Sequence, residues 1–273
     1  MIDDLTLFEG NNLTCLGVLE ASSVTLAYLD PPFYTGKDFT TKDGRLAYTD
    51  KWDSFDQYIQ SVVDCIKLIK PLLTEKGCLV LHIDPNTSHY LKCAVDQVMG
   101  RENFASEIIW RYRRWPSKTP NFQKIHDVLL RWTVGPNPTW NQLYEPLAPS
   151  TIKQWGKSKQ KALITPDGKR LRSQTTKEDS PGVPFGDVWD ISILAPQAKE
   201  RTGYPTQKPS ALLSRLIEAT TCKGNLVLDP YAGSGTTLSV ARSLGRRAVG
   251  IDSSSVAIET IKKRIPNIRC VPA

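Results

Sequence analysis

The 273-residue sequence predicts an α/β protein built on a doubly wound, mostly parallel sheet with an inserted basic region. Three observations predict it. Short apolar runs alternate with amphipathic, helix-length segments on either side of the middle of the chain, the pattern of parallel strands joined through helices. Two of the runs, 26–29 and 226–228, each stop at an aspartate followed by proline, as Asp30-Pro31-Pro32-Phe33 and Asp229-Pro230-Tyr231. Between them, residues 110–179 hold 14 Lys/Arg against 5 Asp/Glu, and Pro and Gly interrupt the alternation repeatedly.

In chain order, residues 5–8 read as a first strand, Gly10-Asn11-Asn12 as a turn into a short helix, and 26–30 as a second strand. Tyr58, Val62, Cys65, Ile66 and Ile69 fall on one face of a helix that ends near Pro71 and Gly77. Residues 78–83 form a buried strand, and Tyr90, Leu91, Ala94, Val95 and Val98 mark the next helix. Residues 127–132 still read as a sheet strand, which places the insertion proper at 135–185. Five of the seven tryptophans, Trp110, Trp115, Trp132, Trp140 and Trp155, fall within 110–179. Periodicity returns with the helix face of Leu212, Leu213, Leu216 and Ile217. A strand at 226–228, a glycine-rich turn, a helix over 238–244 and a strand at 248–251 follow, the last ending at Asp252. Ala257, Ile261 and Ile265 mark the last helix.

Open α/β sheets bind ligands in the crevice beyond the carboxyl ends of their strands. Gly233-Ser234-Gly235 lets backbone approach a ligand at a helix N-terminus. Thr236-Thr237 stands where a phosphate-binding loop needs lysine, and the string is not the dinucleotide pattern of glycines. A carboxylate-bearing cofactor without phosphates fits better; a glycine turn that merely packs a helix on its strand is the plainer alternative. Asp252 stands 23 positions after Asp229, close to the spacing of about 20 expected for a ribose-binding acid. At the other loop, Asp30 and the proline-flanked carbonyls offer acceptors for both hydrogens of an exocyclic amine. Phe33 offers a stacking face worth about 1–3 kcal/mol per base. The plainer alternative there is a rigid Asp-Pro turn.

Asp30-Pro31-Pro32-Phe33, Tyr204-Pro205-Thr206-Gln207-Lys208-Pro209 and the loop from Asp229 to Thr237 resemble the signature blocks of S-adenosylmethionine-dependent DNA amino-methyltransferases. Their order matches the β class, in which the catalytic block precedes target recognition and the cofactor blocks come last. The resemblance runs from about Leu5 to Arg264 and is weakest over 135–185. It implies a Rossmann-like methyltransferase fold in circularly permuted order. Residues 1–134 are then the catalytic half, 135–185 the target-recognition insertion and 186–273 the cofactor-binding half.

Carried over by position, the resemblance makes Asp30, Pro31, Pro32 and Phe33 catalytic: Asp30 and the Pro31 carbonyl hold the target amine, and Phe33 stacks on a flipped base. Cofactor contacts fall to Asp229, Tyr231, Ala232, Gly233, Ser234, Gly235 and Thr236. Thr206, Gln207 and Lys208 close over the cofactor, Asp252 takes the ribose, and Asn11 lies near the adenine. Three positions depart from the usual pattern: Phe33 replaces tyrosine, Tyr204 replaces histidine, and Asn11 stands where an acid is expected. An exocyclic nitrogen attacks the methyl directly, so neither a covalent intermediate nor a metal is required. His82, His89 and His126 have no metal-ligand spacing and read as structural.

Net charge is +7, a balance that suits a polyanion. Arg111, Arg113 and Arg114, set among aromatic residues, could track phosphates and stack on displaced bases; a solvated strand end with surface arginines is the equally good plainer alternative. Lys153, Lys157, Lys159 and Lys161 suit phosphate contacts that position a duplex without reading it. The expected substrate is double-stranded DNA, with adenine N6 preferred because Asp, not Ser, precedes the prolines. Cytosine N4 is the alternative, and a non-catalytic DNA-binding module of the same fold a third reading. RNA or protein amide methyltransferases usually carry Asn at the position of Asp30. The resemblance leaves room for a homodimer and a cognate restriction endonuclease. Six cysteines without a CxxC pair, no 18-residue apolar run, and an acidic Met1-Ile2-Asp3-Asp4 start point to a cytoplasmic protein with no membrane partner.

Overall fold

The computed structural model describes residues 4–118 and 120–272; Met1 to Asp3 of the acidic start lie outside them. The chain divides into a large unit, formed by the residues before Gln142 and after Gly186, and a small one, Gln142–Gly186.

The large unit begins with β1 (Leu5–Glu9), α1 (Asn12–Leu16), β2 (Val24–Leu29), the hairpin β3 (Asp38–Thr40) and β4 (Leu46–Thr49), and α2 (Phe55–Ile69). Next come β5 (Leu73–Ile83), α3 (Ser88–Met99), β6 (Phe104–Arg111) and β7 (His126–Thr133). The small unit holds β8 (Tyr144–Glu145), α4 (Pro149–Trp155), β9 (Ser158–Ile164), β10 (Arg170–Asp179) and β11 (Val183–Pro184). The large unit resumes with β12 (Val188–Asp190), α5 (Ser210–Thr220), β13 (Leu226–Asp229), α6 (Thr236–Ser243), β14 (Arg247–Asp252), α7 (Ser255–Arg264) and β15 (Arg269–Pro272).

Nine strands form one sheet in the order β12-β6-β7-β5-β2-β13-β14-β1-β15. All neighbours are parallel except those of β7, which runs against both β5 and β6. Central β2 is buried at every residue, as a strand covered on both faces must be. Its alternate side chains enter two cores. Ala27 and Leu29 pack with α1, α2 and α3, while Leu26 and Tyr28 pack with α5, α6 and α7. The expected α2 starts earlier than its apolar face suggests, because Ser54 caps it by accepting from the Gln57 amide at 3.1 Å.

The small unit is two antiparallel pairs, β9 with β10 and β8 with β11, plus α4. It starts later than the expected 135, because residues just before it belong to the large unit's hydrogen bonding. Thr139 donates its amide to Lys76 O at 2.9 Å and Asn141 donates to Ala219 O at 2.8 Å. Within 142–186 stand eight Lys/Arg against four Asp/Glu, so much of the expected positive surplus lies on the large unit. Trp110 and Trp132 are core side chains, 2% and 0% exposed, and do not belong to a nucleic-acid surface. Tyr112 is buried as well, which breaks the expected stacking ladder along 110–115: Trp110 and Tyr112 face inward, the arginines outward, and Trp115 alone of the three aromatics is exposed.

Candidate active site

Four adjacent strands end on the same edge with an acid: Asp84 after β5, Asp30 after β2, Asp229 at the end of β13 and Asp252 at the end of β14. A cavity of about 690 Å³ opens beside three of them, within the usual size of a small-molecule cleft. Asp30, Pro31, Pro32 and Phe33 line one part of it; Asp229, Tyr231, Ala232, Gly233 and Asp252 line another. Residues 199 positions apart in the chain thus meet because β2 and β13 are neighbours.

The loop after β2 is pinned by a residue that sequence reasoning missed. Asp50, buried to 1% exposure just beyond β4, accepts from the amides of Phe33 (3.2 Å), Tyr34 (2.9 Å) and Thr35 (2.8 Å). It also accepts from the Thr35 hydroxyl at 2.6 Å and the Trp52 indole at 3.2 Å. Tyr34 is held at φ 61°, a conformation costly for an aromatic residue without such anchoring. The same hairpin brings Tyr48 over the cavity, where its hydroxyl meets Thr206 Oγ1 at 3.2 Å.

Lys208 crosses to this loop. Its Nζ lies 2.7 and 2.5 Å from the two Asp30 oxygens and 5.1 Å from the Phe33 ring centroid. Both carboxylate oxygens thus accept from the ammonium, and Lys208 bridges the two expected subsites. Gln207 ties its own segment together, accepting from the Thr202 amide at 2.8 Å and donating to Glu200 O at 2.7 Å. Thr206, at φ 58°, also lines the cavity.

On the cofactor side, Asp229 accepts from the Tyr231 amide at 3.0 Å. Burial pushes its carboxyl up to about 7, against the pull of Thr237 and the Tyr231 amide. The folded state therefore binds this proton more tightly than the unfolded chain does, and its stabilising contribution declines as pH rises from about 4 through 7. Asp252 accepts from the Gly233 and Ser254 amides, both at 2.8 Å. Burial raises its carboxyl too, with those backbone donors opposing. Asn11 caps α1 by accepting from the Leu13 amide at 2.8 Å and reaches the cavity wall.

Ser234 and Thr236 line the cavity, but Gly235 does not. Its φ is +71°, and a Cβ there would stand 2.9 Å from Ile261 Cγ1 of α7. Close packing on Ile261 thus requires glycine at this position independently of any cofactor contact. Gly235→Val should therefore act on the fold first. Left-handed strain plus overpacking costs roughly 3 kcal/mol or more, or roughly 10 °C in melting temperature for a domain of this size. A thermal melt of the purified variant checks it; an unchanged melting temperature would refute the packing role.

Arg111 pairs with Asp190 at 2.5 Å, and Arg114 rests 5.1 Å from the Tyr112 ring. With exposed Arg113, they lie outside the cavity lining. Lys153, Lys157, Lys159 and Lys161 are exposed on the small unit, Lys159 within 3.3 Å of Glu178. Among the described residues, no group of three or more His, Cys, Asp or Glu is placed to hold a metal ion, and no helix is long and apolar enough to cross a membrane.

One cavity thus holds the Asp30-Pro31-Pro32-Phe33 loop and the glycine turn between Asp229 and Asp252, the arrangement expected of enzymes that bring a nucleoside-bearing cofactor to a planar amine. The sequence model of the DNA methylase family matches residues 24–263, and the chain belongs to this S-adenosylmethionine-dependent family of DNA amino-methyltransferases. It is 29% identical over 96% of its length to the type II methyltransferase M.HpaI of Haemophilus parainfluenzae, covering 74% of that protein. It is 29% identical over 95% of its length to the DNA adenine methyltransferase YhdJ of Escherichia coli (strain K12), covering 82% of it. In fold it resembles M1.HpyAVI, solved as a complex with SAM, at TM-score 0.60 and 18% identity over 97% of this chain and all of that one. The cytosine-N4-specific PvuII DNA methyltransferase matches at TM-score 0.63 and 15% identity, covering 97% of this chain and 88% of that one.

Proposed function

We propose that the protein methylates the exocyclic N6 of adenine in double-stranded DNA, as a cytoplasmic enzyme. The observation that carries this reading is the Asp30-Pro31-Pro32-Phe33 loop, held open-faced by Asp50 and sharing one cavity with Asp229 and Asp252. The preference for adenine rests on Asp at position 30, and the likeness to a named adenine enzyme supports it.

The cofactor fits the residues present. Asp252 offers the carboxylate that a ribose diol needs, the Gly233 turn keeps backbone close to the cavity, and Asp229 faces its interior. When bound, S-adenosylmethionine supplies an electrophilic methyl group. The rest falls to the protein's own groups. Lys208 yields at least one Asp30 oxygen so that the carboxylate and the Pro31 carbonyl accept the amine hydrogens. Phe33 stacks on the ring, offsetting the few kcal/mol that extrusion from the duplex costs. The amine is thereby desolvated and held in line, which is where much of the rate enhancement of such a direct transfer arises.

The test is chemical. Duplex DNA incubated with the protein and S-adenosylmethionine is digested to nucleosides and separated. N6-methyldeoxyadenosine is expected; N4-methyldeoxycytidine alone would move the assignment to cytosine, and no methylated nucleoside would overturn the activity.

Residues 142–186 are proposed to be the target-recognition element. Neutralising Lys157, Lys159 and Lys161 together should weaken binding to all duplexes alike while leaving cofactor affinity unchanged. Each lost phosphate contact should flatten the log–log salt dependence by about 0.9. Salt titrations of binding to several unrelated duplexes give the slopes. An unchanged slope would remove these lysines from the DNA surface.

A further inference from the structure

His82, on β5, is completely buried, and a polar ring without water must be answered on each nitrogen. Its Nδ1 lies 2.7 Å from the Tyr28 hydroxyl of β2 and 4.0 Å from Asp30 Oδ1. Its Nε2 faces Asp127 Oδ2 of β7 at 3.5 Å without a made hydrogen bond. The ring lies 5.9 Å from that of Phe33, and Trp110 meets it edge-on at 5.5 Å. Asp127 in turn accepts from the Tyr112 hydroxyl at 2.9 Å. Burial works to raise the Asp127 carboxyl, but His82 beside it, with Lys208 and Tyr112, holds it below the ordinary carboxylate range. Three neighbouring strands thus each send a polar group into apolar core directly beneath the catalytic loop. Such an arrangement is costly, and packing alone gives no reason for it.

We propose that His82, backed by Asp127, is a positioning residue for methyl transfer. It braces Asp30 and Phe33 from below, with Nδ1 bonded to Tyr28 and 4.0 Å from Asp30 Oδ1, and closes on that oxygen when Lys208 gives way to the target amine. The geometry supplies the reason. Lys208 now contacts both Asp30 oxygens, and an amine hydrogen needs one of them. A half-buried carboxylate that loses its cation is costly unless another polar group answers it. The imidazole is already in place, 4.0 Å from Asp30 Oδ1 on one side and 3.5 Å from Asp127 Oδ2 on the other.

The inference rests on the methyl-transfer reading, so the wild type is assayed first on duplex DNA; absence of transfer there would overturn both. His82→Phe keeps the ring contacts and removes the polar ones. Its kcat should fall about thirtyfold or more, with KM for DNA changed by less than about threefold, as expected when geometry and not binding is lost. Calorimetry should show S-adenosylmethionine affinity within the same threefold. His82→Asn, whose amide reaches the Nδ1 side, should recover part of the lost kcat. Asp127→Asn should lower kcat about tenfold. A kcat for His82→Phe within threefold of wild type, or a loss matched by an equal loss of cofactor binding, would overturn the role of His82 alone. Should His82→Phe fail to fold, the near-isosteric Asp127→Asn decides: a wild-type kcat overturns the proposal.

Discussion

Asp30→Ala is expected to abolish methyl transfer, a loss of at least about 10³-fold, the scale of removing a group aimed at the reacting centre. Cofactor affinity should stay within a few-fold, because the proposed cofactor contacts are Asp229 and Asp252 and the proposed partner of Asp30 is the target amine. The variant also leaves Lys208 without the two oxygens it contacts at 2.7 and 2.5 Å. Asp30 and Lys208 side chains are 18% and 12% exposed, so the orphaned ammonium costs stability, up to about 3 kcal/mol. Asp30→Asn separates the effects: it keeps an acceptor and the side-chain volume and so softens the stability loss, while halving the acceptors offered to the amine. Nucleoside analysis measures turnover, calorimetry measures cofactor binding, and a melt confirms folding. Turnover near wild type in a folded Asp30→Ala protein would sink the catalytic assignment.

The second large effect is expected at Asp50, which never needs to touch substrate. Its carboxylate collects five donors, three of them consecutive amides of the catalytic loop. Hydrogen bonds to a charged group contribute about 1.5–3 kcal/mol each, though not additively. Asp50→Ala frees Phe33 and the strained Tyr34 to relax, and a misplacement of about 1 Å costs on the order of 10²-fold in rate. Asp50→Asn keeps one acceptor oxygen and should fall between. The measurement is single-turnover rate at saturating cofactor. If Asp50→Ala turns over at the wild-type rate, the loop is held by its prolines and not by this carboxylate.

Asp30, Asp229 and Asp252 were legible in the sequence for a shared reason. Each follows a short, continuously apolar run, and only a strand covered on both faces tolerates such a run. Asp50 was not legible, because residues 38–53 mix exposed and buried positions without a period, and its partners are set by a hairpin folding back on the loop. Lys208 was placed near the cofactor, whereas its ion pair spans 178 positions, a distance that no local pattern encodes. The run from Trp110 to Trp115 admitted two readings, a stacking surface or a strand end with surface arginines. Trp110 and Tyr112 alternate with arginine as on a half-buried strand, and the alternation stops at Arg114, before the exposed Trp115. The need for a glycine at 235 was legible, but its crowding by Ile261 was not, because sequence shows that a glycine is needed and not which atom stands beside it.

The placement of β1 carries a consequence for how the protein comes into being. It stands first in chain order among the described strands, yet its partners are β14 and β15, more than 230 residues further on, and Glu9 pairs with Lys262 at 2.5 Å. Pairing over so long a loop is slow, since the entropy of closing it is lost before any contact rewards it. On a ribosome, β1 emerges with two bare edges and keeps them until β14 and β15 have been synthesised. The pocket wall formed by Gly10 and Asp252 closes only then, through the Gly10 amide on Asp252 O at 2.9 Å. A nascent chain interrupted before β14 therefore carries its catalytic loop but no completed pocket, and exposes an unpaired strand to its neighbours.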